Sequence, residues 1–364
     1  MTRYILRRLL LMIPTLFGIL LINFVIVQFA PGGPVERIMA QHTGMGADVT
    51  ARTSGTASQG VQNKAASDNN SEYRGARGLD PALVRELKKR FGFDQPPSVR
   101  FYHMMVNYLH FDFGKSFYRN DRVIDLILDR LPVSLSLAFW TLLLTYSISI
   151  PLGIRKAVKD GSRFDIWSSG AIIVGYAVPS FLFAVLLIVL FAGGSYWQFF
   201  PLRGLVSDNW DQLGWGARIL DYFWHITLPV LSMCIGGFAG LTMLMKNSFL
   251  DEIRKLYVMT ARAKGLTENR VLYGHVFRNA ILIIVAGFPA AFVTILFTST
   301  LLIEVIFSLN GMGLLSFEAI LNRDYPVVFG TLFMFTLLGL VLNLLGDLAY
   351  TVVDPRIDFE KREH

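Results

Sequence analysis

Six stretches of twenty residues or more contain neither Lys nor Arg and are dominated by apolar side chains: Leu9 to Ala30, Leu131 to Ile154, Ile166 to Ala192, Ile226 to Met245, Ala280 to Ile303 and Val327 to Tyr350. A helix rising about 1.5 Å per residue needs roughly 20 apolar residues to cross about 30 Å of hydrocarbon. In lipid, backbone N–H and C=O groups find no water, so a spanning segment must satisfy them within itself. The runs therefore predict an all-α integral membrane protein with six transmembrane helices. Arg3, Arg7 and Arg8 precede the first run as they would a secretory signal. The run is too long for a signal core and lacks a small-x-small cleavage pattern, so it reads as a retained helix. With 53% hydrophobic and only 17% charged residues, the chain is neither a disordered tail protein nor a soluble enzyme with a water-facing surface. Its one cysteine, Cys234, excludes an internal disulfide framework.

The flanking charges set an orientation. Seventeen Lys and Arg border the ends that are inside if the N-terminus is inside: Arg3, Arg7, Arg8; Arg155, Lys156, Lys159, Arg163; Lys246, Arg254, Lys255, Arg262, Lys264, Arg270, Arg278; Arg356, Lys361, Arg362. The two short outer loops hold three, Arg203, Arg218 and Arg323. Short-loop Lys and Arg accumulate on the cytoplasmic side, so both termini are expected there, in an inner membrane. The same rule accounts for the net charge of +7 without invoking nucleic acid.

The expected organisation is an N-terminal span within 1–30, an extracytoplasmic segment over 31–130, a five-helix core over 131–350 and a cytoplasmic tail over 351–364. Within the outer segment, 41–78 is rich in Gly, Ala, Ser, Thr and Asn and has too few large apolar side chains to offset backbone entropy, so it reads as flexible. Surface helices are expected over 80–130: from Asp80 as cap to Gly92 as stop, from Ser98 to His110, and from Asn120 to Arg130. Pro14, Pro151, Pro179, Pro229 and Pro289 put a proline in each of the first five spans, which predicts broken or bent helices.

The inner loop 246–279 is too charged for lipid and too orderly for a tether. Ser248 with Asp251 has capping-box spacing, predicting a helix through Leu256, Tyr257, Val258 and Ala261 that Gly265 ends. Thr267 and Glu268 then open a second helix. A short cytoplasmic helix between turns is a docking element. The residues Tyr257, Thr260, Ala261, Arg262, Ala263, Lys264 and Gly265, followed by His275, Arg278 and Asn279, resemble the coupling-loop motif of ABC importer permeases. Small Ala261 and Ala263 would allow close approach to a partner groove, and Gly265 would permit the chain reversal.

Further landmarks run the length of the chain. Ile13-Pro14-Thr15, Ala30-Pro31-Gly32, Phe111-Asp112-Phe113-Gly114-Lys115-Ser116, Arg130-Leu131-Pro132, Arg323-Asp324-Tyr325-Pro326 and Asp354-Pro355-Arg356 resemble the dipeptide and oligopeptide permease family. The insertion before Tyr73-Arg74-Gly75 and the Gly161-to-Asp165 loop are most similar to its YejB-type branch, permeases of microcin-C-class peptide importers. The resemblance implies a type I ABC importer permease bundle working by alternating access. It also implies a second homologous permease, a cytoplasmic ABC ATPase that binds ATP and Mg, and an extracytoplasmic peptide-binding protein. The sequence itself contains no G-x-x-x-x-G-K-[ST] phosphate loop, so no cofactor and no catalytic residue is assigned to this chain.

Other candidates are weaker. No two of the six histidines stand at the i, i+4 ligand spacing with a carboxylate beside them, so no metal site is assigned. Glu304 and Asp347 lie near the ends of spans, where acids can reach water, and are the candidates for a substrate path. Asn23 is expected to bond across helices. Trp197, Trp210, Trp215 and Trp224 read as interfacial anchors. The rival class is an ion- or proton-coupled secondary transporter, which would show paired inverted repeats and midplane ions.

Overall fold

A computed structural model describes residues 2–29, 95–119, 121–194, 196–296 and 300–353. Among them the principal helices are α1 (Thr2–Phe29), α2 (Pro97–Leu109), α3 (Val123–Val158), α4 (Arg163–Ala177), α5 (Ser180–Phe191) and α6 (Trp215–Ile253). There follow α7 (Leu256–Ala263), α8 (Glu268–Val271), α9 (Phe277–Ala280), α10 (Leu282–Thr294), α11 (Thr300–Ile306), α12 (Met312–Asn322) and α13 (Tyr325–Val353). The only extended pairing among the described residues is a single bridge between Lys115 and Arg122. The Gly-rich segment 41–78, the Asp80-to-Gly92 helix, and the landmarks at Ala30-Pro31-Gly32, Tyr73-Arg74-Gly75 and Asp354-Pro355-Arg356 lie outside the described residues, wholly or in part.

Four helices are long and apolar enough to cross a membrane alone: α1, α3, α6 and α13. Two bent pairs have that length and apolarity only when taken together, α4 with α5 at 93° and Glu268–Ala280 with α10 at 46°, which makes up to six spans among the described residues. The sharper bend follows from the sequence. A proline ring disfavours helical backbone at the preceding residue, and Val178, just before Pro179, is extended at φ −86 and ψ 118. Prolines 14, 132, 151, 229 and 289 are instead accommodated inside helices. The 46° bend falls at the junction around Ile281, after a π-turn over Leu272–Val276, and not at Pro289.

Two expectations are corrected here. The surface helix from Asn120 to Arg130 does not end before the second span; it is the first part of the 36-residue α3. Its buried positions Val123 and Ile127 continue in helical phase into Ser134, Leu137, Ala138 and Thr141, so one face runs on past Pro132. Asn23 donates to its own helix, Nδ2 to the Ile19 carbonyl at 2.8 Å, and has no bond to another helix among the described residues. The predicted Ser98-to-His110 helix is present as α2, shifted by one residue.

The chain divides into two compact units. The first comprises Met1–Met12, Leu128–Leu315 and Met334–His364, and the second Ile13–Ile127 and Ser316–Phe333. The first unit has two buried cores. One gathers Leu137, Ala184, Ile226, Met233, Ile303 and Phe307. The other packs Ile154 and Ala157 of α3 and Met245 and Phe249 of α6 against Val258 and Ala261 of α7. Close helix crossings rest on glycine: a Cβ at Gly153 would stand 2.7 Å from the Met245 Cβ, and one at Gly346 would overlap the Pro289 ring.

In the second unit two landmark motifs interlock. Buried Asp324 accepts from the Ser116 hydroxyl at 2.5 Å and the Phe117 N–H at 3.1 Å. Arg119 reaches Glu318 at 2.6 Å. The turn that delivers Ser116 needs positive φ at Gly114 (φ 75), where glycine costs least. Phe113 and Tyr108, both buried, meet edge to face with centroids 4.8 Å apart, and both abut Phe333. Burial pushes the Asp324 carboxyl above the usual carboxylate range, against the hydrogen bonds from Ser116 and Phe117.

Candidate functional site

The loop that carries the docking motif is held in place by its own inner face. Helix α6 runs through Ser248, which was expected to cap the next helix. The Ser248 hydroxyl instead donates to the Ala280 carbonyl at 2.8 Å, tying α6 to the helix that returns from the loop. The break comes later, at Arg254 and Lys255, and α7 begins at Leu256 with no side-chain cap. Residues 248 and 251 have the right spacing for a capping box, but the apolar positions Met245 and Phe249 are fully buried and keep the helix going through them. Gly265 ends α7 as the sequence predicts, with φ 79 and open space where a side chain would sit.

The two faces of α7 differ sharply. Val258 is completely buried and Ala261 nearly so, packed into the second core of the first unit. Burying Val258 alone contributes about 1.5–3 kcal/mol. On the opposite face Leu256 is 79% and Met259 62% exposed, beside exposed Thr260 and Ala263. Of the ten motif residues, Thr260, Arg262, Ala263, Lys264, Gly265, His275, Arg278 and Asn279 are exposed, and Tyr257 is half-buried. The small side chain of Ala261 thus serves the approach of α7 to its own bundle, whereas Ala263 lies on the open side. Met259 and the 59%-exposed Tyr273 have no place in the motif, and Leu256 enters the sequence reading only as a helix position, not as an exposed one. Their signal was present: two large apolar residues three apart in a charged loop, out of phase with Val258 and Ala261.

Polar bonds fix the loop's ends. The Tyr257 hydroxyl donates to Glu252 at 2.8 Å and accepts from the Asn279 amide at 3.2 Å, joining the two sides of the motif. Burial pushes the Tyr257 phenol up from its ordinary value; the Asn279 bond opposes this and the Glu252 bond adds to it. Arg262 grips Glu268 with two bonds, 3.1 and 2.6 Å, across the Gly265 reversal. The result is a short helix braced on one side and apolar on the other, which is suited to seating in a groove of another protein.

The substrate-path candidates fall elsewhere. Glu304 is fully buried and does not reach water, contrary to expectation. Its carboxylate accepts from the Ser134 hydroxyl at 2.8 Å and the Leu314 N–H at 2.7 Å, while Ser134 accepts from the Met312 N–H at 2.8 Å. A Cβ at Gly311 would overlap that carboxylate. Glu304 therefore ties the start of α12, beyond the 307–311 turn, back onto α3. Asp347 accepts from the Tyr4 hydroxyl at 2.8 Å and pairs with Arg8 at 3.0 Å, linking α13 to the start of α1. Trp215, Trp197 and Trp224 are exposed, and Trp224 donates to the Phe199 carbonyl.

A three-helix charge cluster went unread in the sequence. Lys156, fully buried, donates to the Asp165 carbonyl and to the Ser168 and Ser169 hydroxyls at 3.0, 2.8 and 2.7 Å, and pairs with the Asp165 carboxylate at 3.1 Å. Lys246 bridges Asp165 at 2.7 Å and Asp160 at 2.9 Å. In the sequence both lysines are indistinguishable from other cytoplasmic-side topological charges.

A sequence profile described as "Binding-protein-dependent transport system inner membrane component" matches residues 149–359, which include the braced loop. The chain belongs to that family. It is 62% identical over 363 residues to "Peptidoglycan transport system permease protein YejB" of Agrobacterium fabrum and 58% identical over 364 residues to "Inner membrane ABC transporter permease protein YejB" of Escherichia coli O157:H7, covering 100% of each chain in both cases. It is 32% identical over 377 residues to "Dipeptide transport system permease protein DppB" of Escherichia coli K12, covering 99% of this chain and 100% of that one. The permease is thus a helical inner-membrane subunit of an ABC importer for peptide-type substrates, with the type I permease fold.

Proposed function

We propose that this permease carries peptides inward across the inner membrane. In this reading it pairs with a second homologous permease, receives cargo from an extracytoplasmic binding protein and is driven by ABC ATPases that hold ATP and Mg. Full-length similarity to permeases named for peptidoglycan and dipeptide transport supports a peptide-type cargo, and the microcin C class is the specific cargo that the YejB-type landmarks favour. Six spans with both termini cytoplasmic fit the four single helices plus two bent pairs.

The observation that carries the mechanism is the two-faced α7. Its inner face is welded to α3 and α6 by Val258 and Ala261, so force applied to its outer face is transmitted to two spanning helices. Nucleotide-driven closure of the ATPases would pull α7 and tilt those helices, giving alternating access without chemistry in this chain. A photo-crosslinking side chain at Leu256 in the assembled transporter tests this. Capture of the ATPase from position 256, and not from position 103 on α2, is expected. Intact, membrane-inserted protein that captures no ATPase from positions 256, 259 or 275 would refute the assignment.

A further inference from the structure

Within the second unit, α2 has three distinguishable sides. Phe101, Met104 and Met105, half-buried, and Tyr108, buried, face the rest of the unit. Val99, Tyr102, Val106 and Leu109 recur at i, i+3, i+7 and i+10, the spacing of one helical stripe, and all four are exposed, Tyr102 at 66% and Leu109 at 77%. His103, Asn107 and His110, also exposed, run alongside that stripe. Single exposed apolar residues need no explanation, but a continuous stripe of them marks a contact.

The rings that α2 packs against fix its level. Phe101 lies against both Phe17 and Phe24 of α1, with centroids 5.6 and 5.3 Å apart. Phe24 in turn faces Phe329 of α13 at 6.2 Å. At its other end α2 sets Tyr108 5.5 Å from Phe333 of α13, and exposed Phe111 lies 6.1 Å from the same ring. These contacts fall inside Tyr4–Ile26 and Tyr325–Leu348, the stretches long and apolar enough to cross a membrane. Both ends of α2 therefore lie alongside spanning helices, not beyond their ends. Phe333 is eight residues on from Tyr325, about 12 Å at about 1.5 Å per residue. The 24-residue stretch is about 36 Å long against about 30 Å of hydrocarbon, which puts Phe333 on the order of 9 Å inside it. Helices that lie in the membrane interface bury their apolar face to about 5–10 Å. Beside the same rings α1 is itself exposed through Leu21, Ile22, Val25 and Ile26, so the stripe of α2 continues a surface that a spanning helix already turns outward.

We propose that α2 is an interfacial helix whose stripe of Val99, Tyr102, Val106 and Leu109 is covered by lipid acyl chains, with His103, Asn107 and His110 at the headgroups and water. In the six-span orientation of the proposed function, the leaflet is the outer one. The level of the helix selects the occupant, because an exposed side chain at the depth of Phe333 is surrounded by hydrocarbon, and the apolar stripe matches it. The polar residues beside the stripe need a wet boundary, which the headgroup layer supplies and a dry subunit contact does not. Tyrosine, with an apolar ring and a polar tip, is enriched at such boundaries. Anchored in this way, α2 holds the Gly114 turn, five residues beyond it, where Ser116 meets Asp324.

The test uses the assembled transporter in proteoliposomes, with single cysteines placed at exposed positions of a Cys234→Ala parent and labelled with a polarity-sensitive fluorophore. Labels at Tyr102→Cys and Leu109→Cys should lose at least about half of their emission when the lipid is replaced by lipid brominated along its acyl chains. Labels at His103→Cys and Asn107→Cys should lose far less, and iodide added to the water should quench the four in the reverse order. Stripe labels that iodide quenches and brominated lipid does not would overturn the proposal in favour of a water-facing helix. Stripe labels shielded from both would overturn it in favour of a protein occupant, the second permease or the binding protein. The leaflet is tested separately in spheroplasts, where a membrane-impermeant maleimide should react with unlabelled Asn107→Cys before lysis. Reaction only after lysis would overturn the outer-leaflet assignment and the six-span orientation with it, whereas the contact with acyl chains stands or falls on the brominated-lipid result.

Discussion

Replacing Asp165 by alanine removes the carboxylate that two lysines share. Lys156 has a side chain with no exposed surface, and Lys246 is 14% exposed. Removing one partner of a buried ion pair typically costs about 3–5 kcal/mol, because the remaining charge is left uncompensated in a medium that solvates it poorly. Here Lys156 retains the Asp165 carbonyl and the Ser168 and Ser169 hydroxyls, and Lys246 retains Asp160. The expected loss therefore sits at the lower end, about 3 kcal/mol. At about 2.1 cal/mol/K of unfolding entropy per residue, a loss of about 3 kcal/mol should lower the unfolding midpoint of detergent-purified protein by about 4 °C. Lys156→Met combined with Asp165→Ala removes both the charge and its partner, and should be more stable than Asp165→Ala alone by at least about 1 kcal/mol of coupling. A single variant melting within 1 °C of the parent, or strict additivity in the double variant, would refute the reasoning.

Gly265→Asp places a side chain on backbone at φ 79 where space is open, so it should cost stability only modestly, about 1–2 kcal/mol, yet lose ATPase pull-down and peptide uptake together; normal values for both would remove the docking role. Leu256→Ser should leave membrane abundance unchanged and weaken ATPase retention, whereas Val258→Asp, at a fully buried site, should abolish folded protein; equal abundance of the two would contradict the two-faced helix. Because burial raises the Asp324 pKa, the fold holds a proton there that the unfolded chain releases. Stability contributed through Asp324 should therefore fall as pH rises from the ordinary carboxylate range through the raised value. Asp324→Asn should flatten that slope, measured as unfolding midpoint against pH, and an unchanged slope would show that other groups set it.

Long features were readable from sequence because they depend on local composition. The apolar runs, the Pro179 break and the Gly265 reversal each follow from one residue type acting on its neighbours. What stayed hidden depends on burial. Ser248 and Asp251 spell a helix start, but Met245 and Phe249 bury beside them and the helix continues. Lys156 and Lys246 look like any cytoplasmic-facing lysines until the Gly161 turn brings Asp165 between them. Glu304 looked water-accessible at the end of a run, but the turn at Gly311 seals it against Ser134. The motif residues lie on one braced loop as their spacing suggests, but the phase of its helix, which decides that Val258 faces inward and Leu256 outward, required the fold.

In the proposed function, transport is powered by ATP through partner chains and not by an ion gradient through this one. Labelled-peptide uptake should be measured in proteoliposomes containing the permease pair and ATPase, with binding protein outside the cargo face and all ion gradients collapsed by ionophores. The account predicts uptake that requires ATP and binding protein and persists without any gradient. Uptake by this chain alone, driven by a proton or sodium gradient and abolished by changing Glu304 or Asp347, would contradict it.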